Sequence, residues 1–349
     1  MAKEGAEILY HIRDISFLGF AEVVRHLPFI GKMMARLLQE TRRRRPQAIV
    51  LIDYPGFNLR FAARTRKIPE LQGIPILYYI SPQVWAWHSS RVPVIARLIN
   101  RMAVIFDFEL PIYKAAGLSA DFVGHPLLEV AHPDMSASEF RRKWGIPEEA
   151  PLMAILPGSR QQEVTRLFPL FLQTWKKLRH KFPNLQALVG GSPVLPKSLY
   201  SQILSDQAVS DGDVLLTFDQ TYDLLAHSRV ALVASGTVTL EAAILGTPMV
   251  MAYQVAPLTY LIGRQLVKIP NIALVNVVAG RRIVPEYVQS SATPERLTDE
   301  LSRLLADEDY RAGMIEQLSE VRRKLGTPGA SARVAAMLND LIVKNSSRA

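Results

Sequence analysis

Short runs of apolar and β-branched residues alternate along this chain with longer stretches in which apolar positions recur every three or four residues. The runs "AIVLID" (48–53), "ILYYIS" (76–81), "MAVIFD" (102–107) and "ADFVG" (120–124) predict strands. Helical patterns separate them, among them 60–68 and 91–101. After Pro133 the alternation begins again with "LMAILPGS" (152–159), a helix over 162–181, "LQALVGG" (185–191), "VLLTF" (214–218), "VALVAS" (230–235) and "PMVMAY" (248–253). Strands with no polar face suit parallel sheets covered by helices on both sides. Two such blocks in series predict an α/β protein of two doubly wound domains, residues 1–130 and 131–349. The segment 124–135, with Gly124, Pro126 and Pro133, is the expected linker, and from Pro294 the tail reads as helix.

The uncharged run from Ala242 to Gly263 is long enough to span a membrane. Gly246, Pro248, Gln254 and Pro257 interrupt it, so helix–turn–strand–turn is the expectation instead. The opening Met1-Ala2-Lys3-Glu4 carries acid and no apolar core, unlike a secretory signal.

Composition narrows the partners. Hydrophobic residues make up 49% of the 349, which excludes a disordered chain. The absence of cysteine excludes disulfides and thiolate metal sites and fits a reducing compartment. A net charge of +9 points to a phosphorylated partner or an anionic membrane surface. Histidine, aspartate and glutamate nowhere take metal-ligand spacing, and His125 in "GHPL" reads as structural.

Candidate chemistry lies where strands end. "VALVAS" runs into Ser235-Gly236-Thr237 and then a helix, the setting in which backbone N–H groups and the helix dipole bind an anion such as a diphosphate. Glu241 follows one turn later, placed to accept from both hydroxyls of a ribose. The same residues read equally well as a Ser/Thr cap with an exposed acid. "LPGSRQQEV" (156–164) repeats strand, glycine turn and helix, with Gly158 and Ser159 offering N–H donors and Arg160 a guanidinium fork for phosphate oxygens. Two such turns in one domain favour a nucleoside diphosphate ligand. In the first block, "IVLIDYPGFN" (49–58) ends a strand at Asp53, a candidate base, or else an Asp capping the next turn. "ISPQVWAWHSSR" (80–91) adds Ser81, Trp85 and Trp87, aromatics suited to sugar or acyl chain, or to core.

Taken together, "IDYPGFN", "YYISPQVWAWHSSRV", "FVGHPL", "LPGSRQQEV", "ASGTVTLEAAILGTPMV" and "NVVAGR" (276–281) resemble the lipid-A-disaccharide synthases, in order from about residue 5 to the C-terminus. That family belongs to the two-domain GT-B glycosyltransferases of the class that needs no metal. The resemblance implies transfer of 2,3-diacylglucosamine from its UDP donor to 2,3-diacylglucosamine 1-phosphate, with inversion. It implies a UDP-sugar donor and a phosphorylated glycolipid acceptor, no cofactor and no nucleic acid, and leaves homodimer formation open. The expected place is cytoplasmic, peripheral on the inner face of the inner membrane. Asp53 matches the family's general-base aspartate, Arg160 its arginine and Asn276 its asparagine before Gly-Arg. Gly158, Ser159, Ser235, Gly236, Thr237 and Glu241 fall on the donor side. Asn58, Ser81 and Trp85 fall on the acceptor side.

Departures from the family are also visible. Members begin with a strand and an "A-G-E-x-S-G-D" loop that this chain lacks, so the N-terminal domain is expected to be incomplete, with apolar edges open and Met1 an internal methionine. Gly56 stands where many members carry a second acid, and Asp107 where a proline is usual. Residues 15–46 read as a helix pair with a basic end, and 91–104 as a basic amphipathic stretch, both suited to acyl chains or an anionic bilayer. Alternatives are a UDP-sugar 2-epimerase of the same architecture, a peptidoglycan-type glycosyltransferase, and a truncated non-catalytic protein that binds UDP-sugar.

Overall fold

The computed structural model describes residues 4–11, 27–86, 89–210, 212–256, 260 and 270–347. In the first half, helix α1 (Leu27–Arg44) leads into β1 (Ile49–Ile52), α2 (Pro55–Thr65), β2 (Ile76–Tyr79), α3 (Val92–Leu98), β3 (Arg101–Val104), α4 (Leu110–Lys114) and β4 (Ala120–Phe122). The four strands form one parallel sheet in the order β1-β2-β3-β4, with Ile49 opposite Ile76, Leu77 opposite Arg101 and Met102 opposite Ala120.

Strand alternation assigns the two faces. Ile76, Tyr78, Met102 and Val104 meet Phe61, Ile95 and Tyr113 in one core. Leu77, Tyr79, Ala103 and Ile105 belong to the larger core that runs into the second half. Strand β1 lies at the sheet edge. Leu51 is buried, whereas Val50 and Ile52 on the opposite face are 37% and 45% exposed.

The second half contains α5 (Leu127–Val130), α6 (Ala137–Trp144), β5 (Leu152–Leu156), α7 (Gln161–Lys181), β6 (Gln186–Gly190), α8 (Lys197–Asp206), β7 (Leu215–Thr217) and α9 (Thr221–Ala226). It continues with β8 (Val230–Ala234), α10 (Val238–Leu245), β9 (Met249–Tyr253), α11 (Leu274–Ala279), β10 (Glu286–Val288), α12 (Pro294–Ala306), α13 (Glu308–Lys324) and α14 (Ala330–Ser346). Its six strands are parallel in the order β10-β9-β8-β5-β6-β7. Strands β5, β8 and β9 are buried along nearly their whole length, as runs without a polar face require.

Several boundaries differ from expectation for local reasons. The helix expected at 60–68 begins at Pro55, because proline's fixed φ and missing N–H suit a first turn. The stretch 91–101 divides into α3 and the start of β3. The run from Ala242 becomes α10, closed by Gly246 in the left-handed region at φ 74°, and then β9; residues 257–259 and 261–263 lie outside the described residues. Of the helix pair expected at 15–46, the described part is the single helix α1, and 15–26 lie outside.

The chain passes between the two sheets twice. It leaves the first sheet through Val123–Pro126, and α14 returns to lie against that sheet although it follows the second in sequence. Arg333 Nε donates to Val123 O at 2.8 Å, Arg101 Nη1 to Met337 O at 3.3 Å, and Arg101 pairs with Asp340 at 3.6 Å. The two passages touch: His125 N donates to Leu325 O at 2.9 Å. Gly124, at φ 78°, has room for no side chain, since a Cβ there would sit 2.9 Å from Thr327 O.

Candidate active site

In the second sheet the chain runs outward from β5 in both directions, β6 and β7 on one side and β8 on the other, which makes the β5–β8 junction a topological switch point. A cavity of about 560 Å³ opens there, beyond the carboxyl ends of β5, β6 and β8 at Leu156, Gly190 and Ala234. The second half supplies most of its lining through the turns that follow those strands, together with Ile272 and Leu274 ahead of and within α11. From the first half comes Gln83.

The turn after β5 is the glycine turn anticipated from sequence. Gly158 has φ 116°, which suits glycine alone, and a Cβ there would lie 2.7 Å from Glu163 Oε2. The amides of Ser159 and Arg160 do face one anion, and that anion is internal. Glu163 Oε2 accepts from Ser159 N at 3.2 Å and Arg160 N at 3.3 Å, while Oε1 accepts from Arg160 Nη1 at 3.1 Å. Arg160 is otherwise open, its side chain 67% exposed at the cavity wall.

The turn after β8 places Ser235, Gly236, Thr237 and Glu241 together in the wall. Thr237 Oγ1 donates to Glu241 Oε1 at 3.2 Å. Burial pushes the Glu241 carboxyl up, and the Thr237 hydroxyl opposes that. Ser235 Oγ donates to Ile272 O at 3.4 Å, tying this turn to the wall opposite.

Asn276, expected among the donor contacts, is fully buried and holds that wall from behind. Its Nδ2 donates to Glu286 Oε1 at 2.7 Å and Val284 O at 2.8 Å, and its Oδ1 accepts from Ile283 N and Val284 N. Glu286 in turn accepts from Ile272 N at 3.0 Å and Ala273 N at 3.1 Å. The amide that sequence reasoning aimed at the ligand is occupied by backbone and carboxylate, so Asn276 shapes the cavity without lining it.

On the first sheet, Asp53 and Tyr54 both sit at positive φ, 46° and 44°, unusual for residues with side chains. Asn58 Nδ2 donates to Asp53 O at 2.6 Å and Ile52 O at 3.0 Å, and Tyr78 Oη donates to Asp53 O at 2.6 Å. These contacts brace a strained turn that leaves the Asp53 side chain exposed. Asn58, expected at the acceptor, thus clamps backbone. Ser81 and Trp85 likewise turn inward: both donate to Glu109 Oε1, at 2.7 and 3.0 Å. Trp87 lies outside the described residues.

Sequence reasoning missed Glu109, Gln83 and the pair Gly190-Gly191. Glu109 is 1% exposed, and burial raises its pKa to about 7. The glycine pair does carry a signal. A Cβ on Gly190 would meet Leu156 Cδ2 at 2.3 Å, and one on Gly191 would meet Phe218 Cε1 at 2.5 Å, so a side chain on the floor of the cavity would have to displace Leu156 or Phe218. His125, read from sequence as structural, is buried, with burial lowering its pKa to about 4. Among the described residues no three His, Asp or Glu side chains are grouped to hold a metal ion, and no helix is long and apolar enough to cross a membrane.

A family model described as lipid-A-disaccharide synthetase matches residues 1–337. A lipid-A-disaccharide synthase of Geobacter metallireducens is 40% identical over 348 residues, covering 99% of this chain and 88% of that relative. One of Syntrophus aciditrophicus is 42% identical over 341 residues, covering 98% and 88%. Among solved structures, UDP-GlcNAc 2-epimerase from Neisseria meningitidis bound to UDP-GlcNAc superposes with a TM-score of 0.61 at 13% identity, over 93% of this chain and 82% of that one. A putative UDP-N-acetylglucosamine 2-epimerase from Listeria monocytogenes gives 0.63 at 11% identity, over 91% and 78%. The two-domain GT-B architecture is thereby shared, at identities that speak to fold alone.

Proposed function

The chain belongs to the lipid-A-disaccharide synthase family of glycosyltransferases, and from that premise we propose that it joins UDP-2,3-diacylglucosamine to 2,3-diacylglucosamine 1-phosphate, releasing UDP. The observation that carries this reading is the cavity at the switch point of the second sheet, where two strand-to-helix turns, Arg160 and Glu241 converge. The diphosphate lies against the Ser159–Arg160 and Ser235–Thr237 turns, and Glu241 takes the ribose hydroxyls. Binding there exchanges the ligand's charge for that of Glu163 on the amides of Ser159 and Arg160.

The chemistry is a single displacement. Asp53 takes the proton from the acceptor's 6-hydroxyl as that oxygen attacks the anomeric carbon from the face opposite UDP. The bond from the anomeric carbon to the diphosphate breaks, and the departing charge is held by Arg160 and the backbone donors of the two turns, with no metal required. The anomeric centre inverts, and no covalent glycosyl-enzyme forms. The left-handed backbone at Asp53 and Tyr54, braced by Asn58 and Tyr78, holds the base out from the end of β1. Ser81 and Trp85 brace the turn between β2 and α3 through Glu109.

The acceptor is a lipid, which draws the enzyme to the inner face of the inner membrane. Helix α1 buries only Met33 and Met34, leaves Leu27 half exposed, and ends in Arg42, Arg43 and Arg44. Arg43 and Arg44 share Glu40, Arg44 also pairs with Glu7, and Arg42 with Glu70, so part of that charge is neutralised within the protein.

The deciding experiment is disaccharide synthesis in detergent with both substrates, read by mass spectrometry. Wild type should form the disaccharide 1-phosphate. Asp53→Asn should bind UDP as wild type does and lose about 10²- to 10⁴-fold in turnover, the usual contribution of a general base. Near-normal turnover would remove Asp53 from the mechanism. An epimerase would instead convert the donor with no acceptor present.

A further inference from the structure

The turn between β2 and α3 is held far more firmly than a surface loop needs. Ile80 sits in the left-handed region at φ 62°, a strained position for a β-branched residue, with its N–H donated to Ala103 O at 3.1 Å. Tyr113 Oη donates to Pro82 O at 3.1 Å from beneath. Glu109 Oε1 receives both Ser81 Oγ and Trp85 Nε1, and its Oε2 receives Phe106 N at 3.4 Å. The Trp85 ring packs edge-on against Phe108 at 5.4 Å. Ser81, Pro82, Val84 and Ala86 are buried, and between them Gln83 alone is exposed, where it lines the donor cavity across from the second sheet.

A buried carboxylate is costly to keep unless its bonds do something that an apolar residue could not. Here they gather three segments, the β2–α3 turn, the end of β3 and the start of α4, around one oxygen pair. We propose that Glu109 is a positioning residue that fixes this turn, and that Gln83, at its tip, is the first half's contact with the transferred sugar of the bound donor. A primary amide both donates and accepts, which suits the hydroxyl and acylamino groups of such a sugar. The turns of the second sheet hold the nucleotide and diphosphate, so the sugar is the part of the donor that projects toward Gln83.

The inference rests on reading the cavity as a nucleotide-sugar site. Its test uses the full chain as wild type, Gln83→Ala, Glu109→Ala and the double variant, with UDP binding measured by calorimetry and kcat/KM measured for the UDP-sugar donor. UDP affinity should stay within about twofold of wild type in all three. Each single variant should lose about tenfold in kcat/KM for the donor, and the double variant should lose no more than either, because Glu109 acts through Gln83. An unchanged kcat/KM in Gln83→Ala overturns the proposal, as does a double variant that loses the product of the two. Equal weakening of UDP and donor overturns the assignment to the sugar. Should Glu109→Ala fail to fold, Ser81→Ala and Trp85→Phe remove the same bonds singly and carry the same expectation. A wild-type chain that binds UDP-sugar without turnover would sink the transferase reading instead, and Gln83→Ala would then be judged by UDP-sugar against UDP affinity.

Discussion

Glu109 and His125 are two buried titratable groups that pull stability in opposite directions as pH changes. Burial lifts the Glu109 carboxyl from 4.5 to about 7, so its share of stability is complete below pH 4.5 and is lost as pH rises through 7. Burial lowers the His125 imidazole from 6.5 to about 4, so its share is complete above pH 6.5 and is lost as pH falls through 4. Between about pH 4.5 and 6.5 the two slopes oppose each other. Relative to wild type, Glu109→Gln should gain melting temperature with rising pH across that window, and His125→Asn should lose it. Thermal melts from pH 4.5 to 6.5 check this, and variants whose curves run parallel to wild type would contradict it. Of the two, His125 was read from sequence as structural, whereas Glu109 was not legible. The turns at Ser235-Gly236-Thr237 and Gly158-Ser159 could be read because strand, glycine and helix are contiguous. Glu109 could not, because its partners Ser81 and Trp85 lie 28 and 24 positions away. Burial made from three separate segments leaves no local pattern, and the aromatic Trp85 looked like a ligand contact for the same reason.

Among the elements, the wall formed by residues 272–274 depends on one buried pair. Glu286 opens β10 and accepts from Ile272 N, Ala273 N and Asn276 Nδ2. Removing the carboxylate leaves two backbone N–H groups and one of the two Asn276 Nδ2 hydrogens unmet, each worth about 1–3 kcal/mol when buried, with partial relief by water. Glu286→Ala should therefore cost roughly 3 kcal/mol in urea unfolding and raise the KM for donor, since Ile272 and Leu274 line the cavity. A variant with wild-type stability and KM would show the pair to be dispensable. The strands of the second sheet were readable because apolar runs without a polar face permit little else, but β10 was not. It has three residues and begins with the acid that does this work, so neither length nor pattern marks it. The start of α2 at Pro55 was hidden for a different reason, since Tyr-Pro-Gly reads as a turn whether or not a helix follows.

Across the whole molecule, positive charge is in excess. A net charge of +9 with Arg42, Arg43 and Arg44 at the end of α1 predicts attraction to anionic lipid, with each basic residue near the surface contributing about 1 kcal/mol. Vesicles containing phosphatidylglycerol should sediment the protein at low salt, and release it when salt is raised. Neutral vesicles should not sediment it. Equal binding to both kinds would place the attraction in apolar contact rather than charge. The paired state of Arg43 and Arg44 with Glu40 moderates this expectation, and no pattern of like charges in the sequence foretold that pairing.

The two passages between the sheets have a mechanical meaning. Two bodies joined by one length of chain can swing, twist and slide against each other. Here two lengths lie side by side, bonded from His125 N to Leu325 O, and packed so closely at Gly124 and Gly326 that a Cβ on the latter would come within 3.2 Å of the former's Cα. A two-ply strap of this kind folds across its thin direction and resists torsion. Torsion between the sheets would shear that bond, so the strap keeps Gln83 facing the same wall of the cavity.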